Sequence, residues 1–141
     1  MDRFCLIGNP IYHSLSPDIF SFIFNRLDFK ASYELCEVSE DNFKDFIIEN
    51  KHSSEYNGFN ITTPYKEEAY KTVDMIHSSC NDIKSINCIK INNNHLIGFN
   101  TDQYGLLMLI KKNKINLQNK NIIVLGNGGV AKTVIKTLLD N

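Results

Sequence analysis

The segment from Asn121 through Ile122, Ile123, Val124 and Leu125 to the loop Gly126-Asn127-Gly128-Gly129-Val130-Ala131 constrains the fold more than any other stretch. Its first five residues are mostly apolar and read as a buried strand. Glycines end that run, and Val130, Val134 and Leu138 then recur at helical spacing. A strand that turns through glycine into a helix belongs to a βαβ unit, which predicts a parallel sheet flanked by helices. The spacing also matches the dinucleotide fingerprint G-x-G-x-x-G/A in its required setting. Gly126 allows the tight turn, Gly128 lets a pyrophosphate approach the backbone, and Ala131 lets the helix pack closely. The helix start, with Asn127, Gly129 and Val130, offers N–H groups to phosphates. On these residues alone, the alternative is a glycine-rich turn without a ligand.

The remainder alternates in the same way. Phe4–Gly8 reads as a strand, stopped by Gly8 and Pro10. Ser16-Pro17-Asp18 has helix-start chemistry, with Ser16 as N-cap, and Ile19, Phe20, Ile23, Phe24 and Leu27 follow at helical spacing. Ala31–Val38 alternates like a strand, and Ser39–Glu49 carries Phe43, Phe46 and Ile47 on one helical face. Gly58–Ile61 predicts a strand, and Lys66–Lys84 a helix in pieces. Ile86–Ile91 and Leu96–Phe99 flank Asn92-Asn93-Asn94, a hairpin turn, because asparagine tolerates positive φ. Thr101-Asp102 opens a helix whose apolar face is Leu106, Leu107, Leu109 and Ile110. The fold class is therefore α/β, an open and largely parallel sheet with flanking helices, followed by the first strand–helix unit of a Rossmann domain.

Composition narrows the function classes. A formal charge of -1 removes the electrostatic argument for nucleic acid or an anionic membrane surface. A hydrophobic fraction of 43% with 22% charged residues is an ordinary globular balance. No apolar run reaches the ~18 residues of a membrane span, and the N-terminus has too short an apolar core for a signal peptide, so a cytoplasmic location is expected. Cys5, Cys36, Cys80 and Cys88 are scattered and read as free thiols, and no histidine spacing suggests a metal site.

Two further constellations carry chemistry. Phe59-Asn60-Ile61-Thr62-Thr63-Pro64-Tyr65-Lys66 delivers an amide, two hydroxyls and a lysine to the end of a strand, where open α/β sheets bind ligands. Asn60 and Thr62 suit a polyhydroxylated ligand, and Lys66 suits proton transfer. The bland alternative is a Thr-Thr-Pro turn beside a solvated lysine. Asn100-Thr101-Asp102 either starts a helix and nothing more, or supplies Asp102 as the partner of Lys66. Ser14 and Ser16 could bind substrate, although capping alone would explain Ser16.

Taken in order, these pieces resemble the shikimate dehydrogenase family. Ile7-Gly8-Asn9-Pro10 with His13-Ser14-Leu15-Ser16-Pro17 is similar to its opening motif, and the stretch ending in Lys66 to its lysine motif. Ile86-Asn87-Cys88, Gly98-Phe99-Asn100-Thr101-Asp102 and the Gly126 loop complete the set. The resemblance implies NADP-dependent, reversible reduction of 3-dehydroshikimate to shikimate, toward chorismate and the aromatic amino acids. It implies carboxylate binding by Ser14 and Ser16, ring contacts by Asn60, Thr62, Asn87 and Asp102, and catalysis by Lys66 with Asp102.

Lys84-Ser85 stands where the family usually has Gly-Ala, Cys88 where it often has Thr, Gln103 where Gly is common, and Asn127 where Ala is usual. These differences leave shikimate or quinate open as substrate. The residue that reads the ribose would lie about 20 positions beyond the glycine loop. The chain is thus expected to be truncated: a substrate domain over 1–100, a connector over 101–120 and an incomplete NADP domain over 121–141. A non-catalytic shikimate-binding module and a quinate/shikimate dehydrogenase are the alternatives. An unpaired strand at Asn121–Leu125 predicts self-association of such a fragment.

Overall fold

The structure, a computed structural model, describes residues 1–53 and 55–140. Among them, six strands form one sheet in the order β2-β1-β3-β5-β6-β4. The strands are β1 (Asp2–Gly8), β2 (Ala31–Glu37), β3 (Gly58–Ile61), β4 (Met75–Ile76), β5 (Cys88–Asn92) and β6 (His95–Phe99). The α-helices are α1 (Ser16–Arg26), α2 (Phe43–Ser53), α3 (Lys66–Thr72), α4 (Asp102–Lys112) and α5 (Gly129–Leu139). Central β1 runs parallel to both β2 and β3, and β4 runs parallel to β6. Only β5 is antiparallel to its neighbours, β3 and β6. The sheet is therefore mixed and mostly parallel, as the alternation of strands and helices predicts.

Burial explains this order. Cys5, Leu6, Ile7 and Gly8 are all buried, because β1 is covered on both faces. Ile7, Phe43, Ile47, Phe59, Ile61, Ile86, Ile89 and Leu96 share one core, and each such side chain contributes roughly 1.5–3 kcal/mol by leaving water. The β5–β6 hairpin turns on Asn93 and Asn94, with φ of 48° and 58°, and their positive φ values set the pairing of Asn92 with His95.

Four expectations need correction. Asn121–Leu125 forms no strand: no described strand lies beside it, and Ile123 and Leu125 are 85% and 92% exposed. An apolar run becomes a strand only when a neighbour takes its backbone hydrogen bonds. In α5, accordingly, Ala131, Thr133 and Thr137 are buried while Val130 is exposed, since the helix packs on α4 and on Ser85 rather than on a strand of its own. The stripe of α1 is also half turned to water. Phe20 stacks on Tyr33 and Phe24 leans on Phe4, but Ile19, Ile23 and Leu27 are exposed. Finally, Ser16 is the first residue of α1 rather than its cap, and Ser14 Oγ accepts from the Ser16 N–H.

The stretch expected to be helical in pieces contains α3, the short edge strand β4 and a 3₁₀ turn at Ser78–Cys80. Two residues are too few to show a period, so β4 leaves no pattern to read.

Candidate active site

The antiparallel placement of β5 assembles the site. Because β5 runs against β3, the residue entering β5 lies beside the end of β3, and the Ile61 N–H donates to the Asn87 carbonyl at 2.9 Å. Since β6 runs against β5, its C-terminal end reaches the same rim and delivers Asn100, Thr101 and Asp102. On the other flank, the Tyr65 N–H donates to the Thr62 carbonyl, closing the turn that starts α3 with Lys66. The Lys66 carbonyl then accepts from the Ile86 N–H at 2.9 Å, tying the lysine turn to the residue before Asn87.

Lys66 Nζ donates to Asp102 Oδ2 at 2.7 Å, and both side chains are largely withdrawn from water, with 14% and 30% exposure. Asn87 Nδ2 donates to Asp102 Oδ1 at 2.7 Å, so both carboxylate oxygens are engaged. Asn87 Oδ1 in turn accepts from the Thr101 N–H at 2.9 Å. Asp102 also stands in the first turn of α4, where a carboxylate favours the helix dipole. The helix start is capped by the Asn100 side chain, whose Oδ1 accepts from the Asp102 N–H at 3.0 Å. The Thr101 side chain makes no such bond.

Asn60 joins the same group, its Nδ2 donating to the Asn87 carbonyl at 3.3 Å and its Oδ1 accepting from Tyr33 at 2.9 Å. Tyr33 is the member that sequence reasoning missed. Its only signal was its place in an alternating strand, which any half-buried residue would share.

Two cavities lie beside this group, and of its members only Lys66 lines either; Asn60 and Tyr33 line a third, of about 260 Å³, with Phe20 and Cys88. Ser14, Ser16 and Thr62 line one of about 500 Å³ with Asn9, Ile11 and His13. Lys66 lines another, of about 880 Å³, with Gly126, Gly128, Gly129, Val130 and Ala131. Asn127 does not line it. Thr63 belongs to both and is the wall between them. The glycine loop suits a bound pyrophosphate: Gly126 has φ 115°, a Cβ on Gly126 or Gly128 would meet nothing within 4 Å, and α5 starts without a side-chain cap. Ser85, buried against Gly129, has a hydroxyl with no hydrogen-bond partner among the described residues.

A lysine–carboxylate pair thus stands at the rim of a mixed, mostly parallel α/β sheet, near a hydroxyl-lined cavity and an open glycine loop. Residues 6–89 match the model of the shikimate dehydrogenase substrate binding domain, and the chain belongs to that family. It is 38% identical over 141 residues to the NADP(+) shikimate dehydrogenase of Clostridium beijerinckii, covering all of this chain and 52% of that one. The structure superimposes on shikimate dehydrogenase 1 of Peptoclostridium difficile with a TM-score of 0.95 and 33% identity, over 99% of this chain and 53% of that one. It also matches the Thermus thermophilus enzyme, solved with NADP(H) and shikimate, with a TM-score of 0.90 and 31% identity, over 99% and 52% of the two chains. The chain spans about half the length of these relatives.

Proposed function

We propose that this chain is the substrate-binding part of an NADP-dependent shikimate dehydrogenase, which interconverts 3-dehydroshikimate and shikimate. The observation that carries this reading is the Lys66–Asp102 pair at 2.7 Å, with Asn87 on the second carboxylate oxygen. Oxidising a secondary alcohol removes a hydride from carbon and a proton from oxygen. NADP, when bound against the Gly126 loop, supplies the acceptor for the hydride. The chain's own task is to place the ring and handle the proton. Lys66 Nζ bonds the reacting oxygen, giving it a proton as the ammonium in reduction and taking one as the amine in oxidation, while Asp102 holds the lysine in place. Asn60, Thr62 and Asn87 bind ring hydroxyls, and Ser14 and Ser16 bind the carboxylate.

In the same reading, 1–100 is the substrate domain, 101–120 the connector and 121–141 the start of the nucleotide domain. The four free thiols suit the reducing cytoplasm. The exposed Ile123 and Leu125 favour self-association, which light scattering over a concentration series would detect. A shikimate-binding module without turnover is the second reading, favoured by the missing strand before α5.

The test is calorimetric titration of shikimate into the 141-residue protein, with quinate as the comparison ligand. Saturable binding of shikimate, lost in Asp102→Ala, is the expected result. A folded protein that binds neither compound would overturn the reading, and preference for quinate would move it to the related dehydrogenase.

A further inference from the structure

We propose that Tyr33 is a positioning residue of this site, fixing the orientation of the Asn60 amide so that one of its N–H groups stays free for a ligand hydroxyl. The proposal deepens the shikimate-binding reading and rests on it for the identity of that ligand.

The argument is one of donors and acceptors. The Asn87 carbonyl facing Asn60 can only accept, so the Asn60 atom against it, at 3.3 Å, must be the NH2 group. Oδ1 of Asn60 is thereby turned toward Tyr33, 2.9 Å away. An amide oxygen can only accept, so the Tyr33 hydroxyl must spend its single proton on it. The second N–H of Asn60 has no hydrogen-bond partner among the described residues, and Asn60 lines a cavity of about 260 Å³. Remove the phenol oxygen and the amide oxygen loses its donor, so the two orientations of the amide come closer in energy.

Tyr33 is itself held. Its ring stacks flat on Phe20, with centroids 4.2 Å apart and planes 6° from parallel. Burial pushes its phenol well above the ordinary value, with the Ser16 hydroxyl opposing that rise in part, so it remains a donor through the neutral range. Hydrogen bonds link Tyr33 to Asn60 and Asn60 to the Asn87 backbone carbonyl, while the Asn87 side chain bonds Asp102 and Asp102 bonds Lys66, so Asn87 joins the two halves of the group covalently.

The experiment is Tyr33→Phe in the full 141-residue chain, read two ways. Side-chain amide NMR should show the Asn60 NH2 pair sharp in the wild type and shifted or exchange-broadened in Y33F. Calorimetry should show shikimate binding about tenfold weaker in Y33F, the effect of one ordinary hydrogen bond. In an Asn60→Ala background, Y33F should change affinity no further, whereas a merely structural role would lower it in both backgrounds. Unchanged Asn60 resonances in Y33F overturn the proposal whether or not shikimate binds. Equal affinity of Y33F and wild type also overturns it, leaving the functional reading intact. A wild-type protein that binds no shikimate overturns the functional reading instead.

Discussion

Asn87 Nδ2 stands 2.7 Å from Asp102 Oδ1, on the opposite carboxylate oxygen from the one that receives Lys66. The carboxylate cannot swing to serve the lysine better without losing the amide. A half-buried ion pair recovers its desolvation cost only when its remaining polar atoms are satisfied, and Asn87 meets that condition here. The result is an ammonium held at a defined point, which proton transfer needs more than it needs raw attraction.

Lys66→Met should therefore act on chemistry rather than binding. In a chimera joining this chain to the remaining half of the Clostridium beijerinckii relative, kcat for shikimate oxidation should fall about 10²–10⁴-fold. KM should move far less. Equal losses in both would make Lys66 a binding group only.

Ser85→Ala should stabilise the fold. The Ser85 hydroxyl is buried with no partner among the described residues, and an unsatisfied buried polar group costs about 1–3 kcal/mol. Alanine keeps the shape and removes that cost, so the urea midpoint should rise by the equivalent of about 1 kcal/mol. A lower midpoint would mean that the hydroxyl has a partner in solution.

Gly8→Ala should damage stability and site together. An added Cβ would come within 2.5 Å of Thr62 Cγ2 and 2.6 Å of Ile11 Cγ2, both on the wall of the Ser14 cavity. Overpacking of this kind costs about 1–3 kcal/mol. Shikimate affinity should fall as Thr62 is displaced, and calorimetry on the folded variant checks this.

Asp74 should govern part of the acid limb of stability. Its carboxylate accepts from the Leu96 N–H at 2.7 Å and from Lys51 Nζ at 2.8 Å, and these bonds, the first above all, hold its pKa below the usual value. A depressed carboxyl adds stability above its unfolded value of about 3.9, lost as pH falls through the lower folded value. Asp74→Asn should be less stable than the wild type near neutral pH, with the gap closing below about pH 3. Denaturant midpoints at the two ends would show it, and a gap independent of pH would refute it.

Most of the fold was legible because most of it is periodic. The buried run of β1, the alternation of β2 and the Asn93-Asn94 turn each carry a local signal that the tertiary structure leaves alone. Legibility failed where a neighbour decides. Val124 and Leu125 have the composition of a strand, but no described strand receives their hydrogen bonds. Helix starts failed for a related reason: several residues near them can accept from the first N–H groups, and loop geometry placed Ser16 inside α1, which has no side-chain cap, and put Asn100 rather than Thr101 on the Asp102 N–H. Lys66, Asp102, Asn60 and Asn87 could be named from sequence because their motifs are ordered along the chain; the pairing of Lys66 with Asp102 was also expected, whereas the bonds of Asn87 to Asp102 and of Asn60 to Asn87 had no signal. Tyr33 has no motif; only its hydroxyl's partner reveals it.

The hydrogen-bonded run from Tyr33 to Lys66 also has a history in time. Its links join residues 27, 27, 15 and 36 positions apart, and only the Asn87–Asp102 link closes within a single hairpin, β5–β6. In a chain growing from its N-terminus, Lys66 has been synthesised long before Asp102 exists to receive it. Contacts between distant positions also form late and slowly. The site thus closes after the strands that carry it, and a chain able to grip a ligand is one whose central sheet has already closed.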